Sequence, residues 1–189
     1  MTYYLDVDAI TGARSIAEKL LSHALPQRWT HVQAVAKKAE RVSAVLGVED
    51  RAILVAAAWL HDVGYAPDLV SSGLHALDGA LWLRRVEVDD RVVALVAHHS
   101  CATFEAQERG LAGELIANFS DEESPVRDLL WYVDMTTGPD GRDMDVRERL
   151  DEVRKRYGPE HVVTRFWARA EPTLLAAVER SELLLARTT

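Results

Sequence analysis

Apolar residues recur every three to four positions along almost the whole sequence. This spacing constrains the fold most, because it predicts helices and leaves little room for a sheet. We find no alternating strand pattern, no internal repeat and no low-complexity linker. Proline and glycine separate the periodic segments at Pro26, Gly47, Gly64 and Pro125. The sequence therefore predicts a single all-α domain over 1–189, folded as one compact helical bundle.

The breaks between periodic segments set the predicted helices. These run over about 8–24, 27–46, 49–64, 75–85, 89–99, 105–118, 124–134, 145–157 and 160–187. Gly47 is expected to cap the C-terminus of the second helix, where glycine is favoured. The stretch after Gly64 contains proline, serine and glycine and is expected to be a loop.

Composition and charge restrict the partners that the chain can take. Its 189 residues are enough to bury a core. The net charge is −8, and no basic face is long enough for a nucleic acid duplex. Cys101 is the only cysteine, which fits a reducing cytosol. The first residues lack the pattern of a signal peptide, and the apolar run 52–60 is far shorter than the roughly 20 residues of a membrane span. We therefore expect a cytoplasmic protein with no membrane partner.

Several predicted helices have, on their apolar face and near one end, a histidine or aspartate that could bind a metal ion. These residues are His31, the adjacent pair His61 and Asp62, His99, and Asp134. A buried carboxylate without a partner is costly and takes up a proton, whereas a divalent cation supplies the missing charge and binds neutral imidazole nitrogens. The pattern predicts a metal site. Taken singly, each residue could equally be a satisfied core histidine, a helix cap or a salt-bridge partner.

These residues resemble a known signature. His31, the segment WLHDVG with His61 and Asp62, and Asp134 in YVDMTT are similar to the H…HD…D pattern of the HD-domain superfamily. The resemblance spans about 27–137. It implies an all-α fold, a divalent metal ion on these four residues, and hydrolysis of phosphate monoesters or diesters, often nucleotides.

Three further histidines resemble those of two-metal members of the superfamily. In such a site Asp62 would bridge the ions, and His75, His98 and His99 would hold the second ion. The alternative is that His75 caps its helix and that the pair His98 and His99 binds phosphate or water. Histidine and carboxylate ligands leave the metal open among manganese, iron, cobalt, nickel, magnesium and zinc.

Two branches of the superfamily fit poorly. Gly64 is followed by Tyr65, where the cyclic-dinucleotide phosphodiesterases have lysine. Tyr65 and Ala66 also replace the acidic pair that the alarmone hydrolases place after their HD. Arg28, just ahead of His31, is similar to an arginine that holds phosphate in small nucleotidases of the superfamily.

The expected activity is hydrolysis of a small phosphate ester, such as a nucleotide or a related phosphorylated metabolite. Asp62 would orient a metal-bound water, and His99 would give a proton to the leaving oxygen. Arg28 and Lys37 would bind the phosphate, with Arg142 as a further candidate.

Two other functions remain open at this stage. The same ligands would serve an HD-type diiron oxygenase, and a non-catalytic, metal-stabilised regulatory module is also compatible with them. The C-terminal helices, 145–187, lie outside the resemblance. They either complete the bundle or form the face of a homodimer.

Overall fold

The computed structural model describes residues 3–187, and over these residues the chain is all-α, as predicted. The helices are α1 (Tyr3–Leu21), α2 (Pro26–Val42), α3 (Val48–Leu60), α4 (His75–Arg85), α5 (Asp90–Ala97), α6 (Ala102–Arg109), α7 (Ala112–Asn118), α8 (Pro125–Met135), α9 (Val146–Tyr157) and α10 (Val162–Ala186). Short 3-10 turns cover Ser43–Val45, Val63–Tyr65 and His99–Cys101. The ends of the expected domain, 1–2 and 188–189, lie outside the described residues.

Helix α3 forms the centre of the bundle. Its side chains are buried without interruption from Leu54 to Leu60, and α1, α2, α5 and α8 pack around it. A helix that is apolar on all sides has to be buried. Because His61 and Asp62 directly follow the last residue of α3, the packing of this helix carries both side chains into the interior of the protein.

Two details of the predicted helices are corrected by the structure. The predicted helix over 105–118 is two helices, because Gly110 adopts a left-handed φ of 73° and ends α6. Gly47 does not cap α2, which ends at Val42 and continues as a 3-10 turn. Gly47 has a φ of −65° and serves as the N-cap of α3.

The turn after α3 lies directly against the backbone of α4. A Cβ atom on Gly64 would lie 1.9 Å from the carbonyl oxygen of His75 and 2.6 Å from the amide nitrogen of Gly79. No side chain fits in this space, so the two segments can meet only because residue 64 is glycine. This contact holds the first turn of α4, and with it His75, beside Asp62.

The C-terminal helices pack onto the rest of the described chain. Helix α10 lies against α6, α8 and α9, and it buries Phe166, Trp167 and Leu174. Among residues 3–187, none of the helices is both long enough and apolar enough to cross a membrane.

Candidate metal centre

Two groups of side chains bring possible metal ligands together. His31, His61 and Asp134 form the first group, and Asp62, His75 and His99 form the second. Within each group the ligand atoms lie within 4.8 Å of one another. Helices α2, α3, α4 and α8 and the turn after α5 supply these residues, so the site forms only when the bundle is assembled.

The carboxylate of Asp62 lies between the two groups. Its Oδ2 is 3.9 Å from Nε2 of His31 and 3.4 Å from Nε2 of His61. Its Oδ1 is 3.6 Å from Nε2 of His75 and 4.0 Å from Nε2 of His99. Each oxygen therefore faces a different group, which is the arrangement of a bridging carboxylate.

Three of the histidines are held by backbone carbonyl groups. The Nδ1 atoms of His31, His61 and His99 each lie within hydrogen-bond distance of a carbonyl oxygen, so each neutral ring carries its proton on Nδ1. The carbonyl partners are Gly138 at 3.0 Å, Ala58 at 2.8 Å and Val96 at 2.6 Å. In the form that binds a metal ion, with the only ring proton on Nδ1, the Nε2 lone pair of each of these rings would point into the centre.

Two features of the first group suit a cation: the distances between its ligand atoms, and a buried ring nitrogen without a hydrogen-bond partner. Ligands about 2.1 Å from a shared ion lie about 3.0–3.4 Å from their neighbours. The observed distances from Oδ1 of Asp134 are 3.0 Å to Nε2 of His31 and 3.7 Å to Nε2 of His61. Among the described residues, the buried Nε2 of His61 has no hydrogen-bond partner. The clustered side chains are thus compatible with divalent metal binding.

Both carboxylates keep their charge. Burial alone would raise the pKa of Asp62, but Arg28 and His61 hold this pKa well below its usual range. Burial likewise opposes ionisation of Asp134, and its hydrogen bond to His31, together with the nearby His61, lowers the pKa of that carboxyl. Ionised carboxylates are the form that binds a metal ion.

The imidazoles fall into two classes. Burial and the neighbouring His99 lower the pKa of His75, and burial and the neighbouring His61 lower that of His99, so both rings stay neutral. Burial also acts against a charge on His61, but Asp62 and Asp134 outweigh it and raise this pKa to about 9. The two carboxylates therefore favour a positive charge at His61, which either a proton or a bound cation would provide.

The structure does not bring His98 to the centre, which corrects its prediction as a ligand. Its Nε2 lies 3.0 Å from the carbonyl oxygen of Phe119, and its Nδ1 lies 3.1 Å from the hydroxyl of Thr103. Both ring nitrogens of His98 therefore have hydrogen-bond partners away from the metal centre. His99 faces Asp62 and pairs its Nε2 with that of His75 at 3.1 Å, a geometry that favours a ligand over a proton donor.

The prediction for Lys37 as a phosphate-binding residue is also corrected. Lys37 is exposed on α2. The next residue, Lys38, is buried, and it lies two helical turns after His31 on the same face of α2. Lys38 donates to the carbonyl oxygen of Thr136 at 2.9 Å and to Asp143 at 2.8 Å. It thereby fixes the loop that follows α8.

Arg28 lies at the rim of the centre, as part of a stack. Its Nη1 donates to Oδ2 of Asp62 at 2.7 Å. Its guanidinium carbon lies 3.8 Å from the ring centroid of Tyr65, and the Tyr65 ring stacks on that of His75 at 4.0 Å. Arg28 thus orients the proposed bridging carboxylate and, through Tyr65, one histidine of the second group.

Sequence reasoning missed Ser100, which contacts the first group. Its hydroxyl donates to Oδ2 of Asp134. Ser100 and Cys101 have φ values of 45° and 61°, a left-handed backbone that is unusual for residues other than glycine. Nothing in the local sequence signals this conformation, so the contact could not be predicted.

The centre opens into a cavity of about 80 Å³. Besides the ligand groups, its lining includes Glu105 on α6, Arg149 and Arg156 on α9, and Trp167 on α10. The two arginines lie seven residues apart and therefore on one face of α9, a spacing that the sequence does contain. The exposed Arg142 instead pairs with Asp140.

Comparison with known proteins points to one family. A family model described as HD domain matches residues 28–150. The tRNA (cytidine(56)-2'-O)-methyltransferase of Picrophilus torridus is 37% identical over 84 residues, which are 43% of this chain and 24% of that protein. The chain therefore matches about a quarter of the length of this relative. No solved structure matches the chain.

Proposed function

The chain belongs to the HD-domain family, and on that premise we propose that it is a metal-dependent phosphohydrolase acting on a small phosphate ester. The observation that carries the proposal is the position of Asp62, whose two carboxylate oxygens face two separate groups of histidines. Two divalent ions held by these groups would be suited to support an in-line displacement at phosphorus.

The residues of the two groups would act as metal ligands. His31, His61 and Asp134 would hold one divalent ion, His75 and His99 the other, and Asp62 would bridge them. Bound ions would supply Lewis-acid polarisation of the phosphoryl oxygens and lower the pKa of a water molecule.

Asp62 would also orient the attacking water, because its carboxylate lines the cavity. Arg28 would pair with the phosphate, for which its planar fork of donors is suited, while its contact with Tyr65 keeps the guanidinium in place.

Glu105 is the best-placed side chain for protonating the leaving oxygen. It lines the cavity, and burial raises the pKa of its carboxyl, although a salt bridge to Arg109 opposes the rise. A carboxyl group that keeps its proton closer to neutral pH can act as a general acid. This assignment replaces the proton-donor role first expected of His99, whose two nitrogens are both engaged.

The substrate is expected to be small, since the cavity at the centre has only about 80 Å³. A nucleotide or a related phosphorylated metabolite remains the expected class, with its phosphoryl group in this cavity and the rest of the molecule outside it. The methyl transfer named for the Picrophilus torridus relative provides no second candidate, because the match covers 24% of that protein.

The test is phosphate release by protein purified without chelator and reconstituted in turn with manganese, iron, cobalt, nickel, magnesium or zinc. We expect turnover of a phosphate ester under strict anaerobiosis, and loss of turnover in Asp62→Asn. Asp68→Asn is the matched control, because Asp68 is exposed outside the cavity.

Three results would overturn the proposal. They are absence of phosphate release with every metal, full activity in Asp62→Asn, or oxygen uptake by a two-iron protein that releases no phosphate. The last result would favour the oxygenase alternative.

A further inference from the structure

A second cavity, of about 270 Å³, adjoins the metal centre. The two cavities share Arg28, His31, Arg149 and Arg156 in their walls. A molecule bound at the centre therefore has these arginines beside it, on the side that leads into the larger cavity.

The wall of the larger cavity differs in charge from the rest of the protein. The chain has 30 acidic and 22 basic residues. Among the described residues that line this cavity there are three arginines and no aspartate or glutamate. An acid-free wall with three guanidinium groups in an acidic protein favours an anionic ligand.

Arg149 and Arg156 share a single carboxylate. Nη1 of Arg149 pairs with Oε2 of Glu152, and Nε of Arg156 lies 3.4 Å from Oε1 of the same residue. Two guanidinium groups thus face one glutamate, which leaves one positive charge beside the cavity without an internal partner in the described part of the chain.

Arg149 also has an unused donor. The residue is 6% exposed, and its buried Nε has no hydrogen-bond partner among the described residues. A buried N–H without an acceptor costs about 1–3 kcal/mol, so such groups are expected to be satisfied by a ligand or by water. Since Arg149 lines both cavities, an acceptor there would lie next to the metal centre.

We propose that Arg149 and Arg156 form a second anion-binding site, and that the substrate is a small phosphate ester whose other end carries a carboxylate or a second phosphate. This inference rests on the proposed function for the first phosphate only. The phosphoryl group to be cleaved binds at the centre with Arg28, and the second anion binds to the fork of donors that α9 provides. Helix α9 therefore determines which phosphate esters are accepted.

The test compares three non-hydrolysable ligands that share a three-carbon chain. Propylphosphonate carries one anionic group, 3-phosphonopropionate adds a carboxylate, and 1,3-propanediphosphonate adds a second phosphonate. Their affinities for the metal-loaded, full-length protein are measured by calorimetry. We expect one or both of the doubly anionic ligands to bind about tenfold or more tightly than propylphosphonate, as charged hydrogen bonds predict. The tighter of the two identifies the second group.

Substitutions of the two arginines test their role in binding, and a control substitution on the same helix tests for general effects on the fold. Arg149→Gln and Arg156→Gln should each remove most of this preference, so that the ratio of affinities between the doubly anionic ligands and propylphosphonate falls towards one. The Arg156 side chain is 39% exposed, so its replacement does not threaten folding. Arg147→Gln is the control, because Arg147 lies on the same helix with its side chain 70% exposed and lines neither cavity.

Equal affinity of the wild-type protein for all three ligands would overturn the inference. A preference that survives in both Arg149→Gln and Arg156→Gln would overturn it as well. A preference that depends on Arg149, in a protein that releases no phosphate from any ester, would support the anion site and reject the proposed hydrolysis instead.

Discussion

Replacing Gly64 by alanine should detach the second group of ligands from the first. The new Cβ would lie 1.9 Å from the carbonyl oxygen of His75, whereas real Cβ contacts of less than 3.0 Å are essentially absent from proteins. The first turn of α4 would have to move by about 1.1 Å, since its neighbour is backbone and has no rotamer to change. Metal–ligand distances tolerate only about ±0.2 Å, so His75 would leave its position beside Asp62.

The same contact sets the expected loss of stability. Overpacking of this kind costs about 1–3 kcal/mol. For a domain of this size, each kcal/mol lowers the Tm by about 2–4 °C, so Gly64→Ala should melt about 2–12 °C below the wild-type protein.

The assay is metal content per chain by elemental analysis, together with thermal unfolding followed by circular dichroism. We expect two ions in the wild-type protein and one in Gly64→Ala, which keeps the group of His31, His61 and Asp134. Gly113→Ala is the control, since Gly113 is exposed in α7 and a Cβ there meets no atom within 4 Å. Two ions and an unchanged Tm in Gly64→Ala would refute the reasoning.

Five further substitutions, two of them controls, test individual contacts. His99→Gln should lose one ion, whereas His98→Gln should keep both and lose only about 1–3 kcal/mol of stability, as measured by elemental analysis and urea unfolding; equal metal loss in the two would contradict the assignment. Lys38→Met should lower the free energy of unfolding by about 1.5–3 kcal/mol and weaken metal binding, while Lys37→Met should change neither. Ser100→Ala should lower metal affinity about tenfold in a chelator competition, and an unchanged affinity would show that this hydroxyl has no role in the centre.

The sequence predicted the fold well because the helix signals are strong and local. The boundaries of α4 agree with the prediction, and Pro125 begins α8 as expected. The errors occur where a backbone conformation decides the outcome, as at Gly110 and Gly47.

The candidate site was only partly predictable. Periodicity identified residues that face the core, but it could not distinguish His98 from His99, because a single turn after α5 sends the two adjacent rings to opposite sides. The roles suggested for Arg149, Arg156 and Glu105 depend on how α6 and α9 meet the centre. That arrangement is a tertiary contact, and no local pattern specifies it.

The hydrogen bond between His31 and Asp134 joins residues 103 positions apart. A cation held between them would act as a removable cross-link that closes a loop of about 100 residues. In the chain-entropy model, a covalent bridge over such a loop restricts the unfolded ensemble by about 4.7 kcal/mol. Because such an ion would bind only the folded chain, its free concentration would set the fraction of molecules that open, and with it the lifetime of the protein under proteolysis. Metal supply would then control how much of this protein a cell retains.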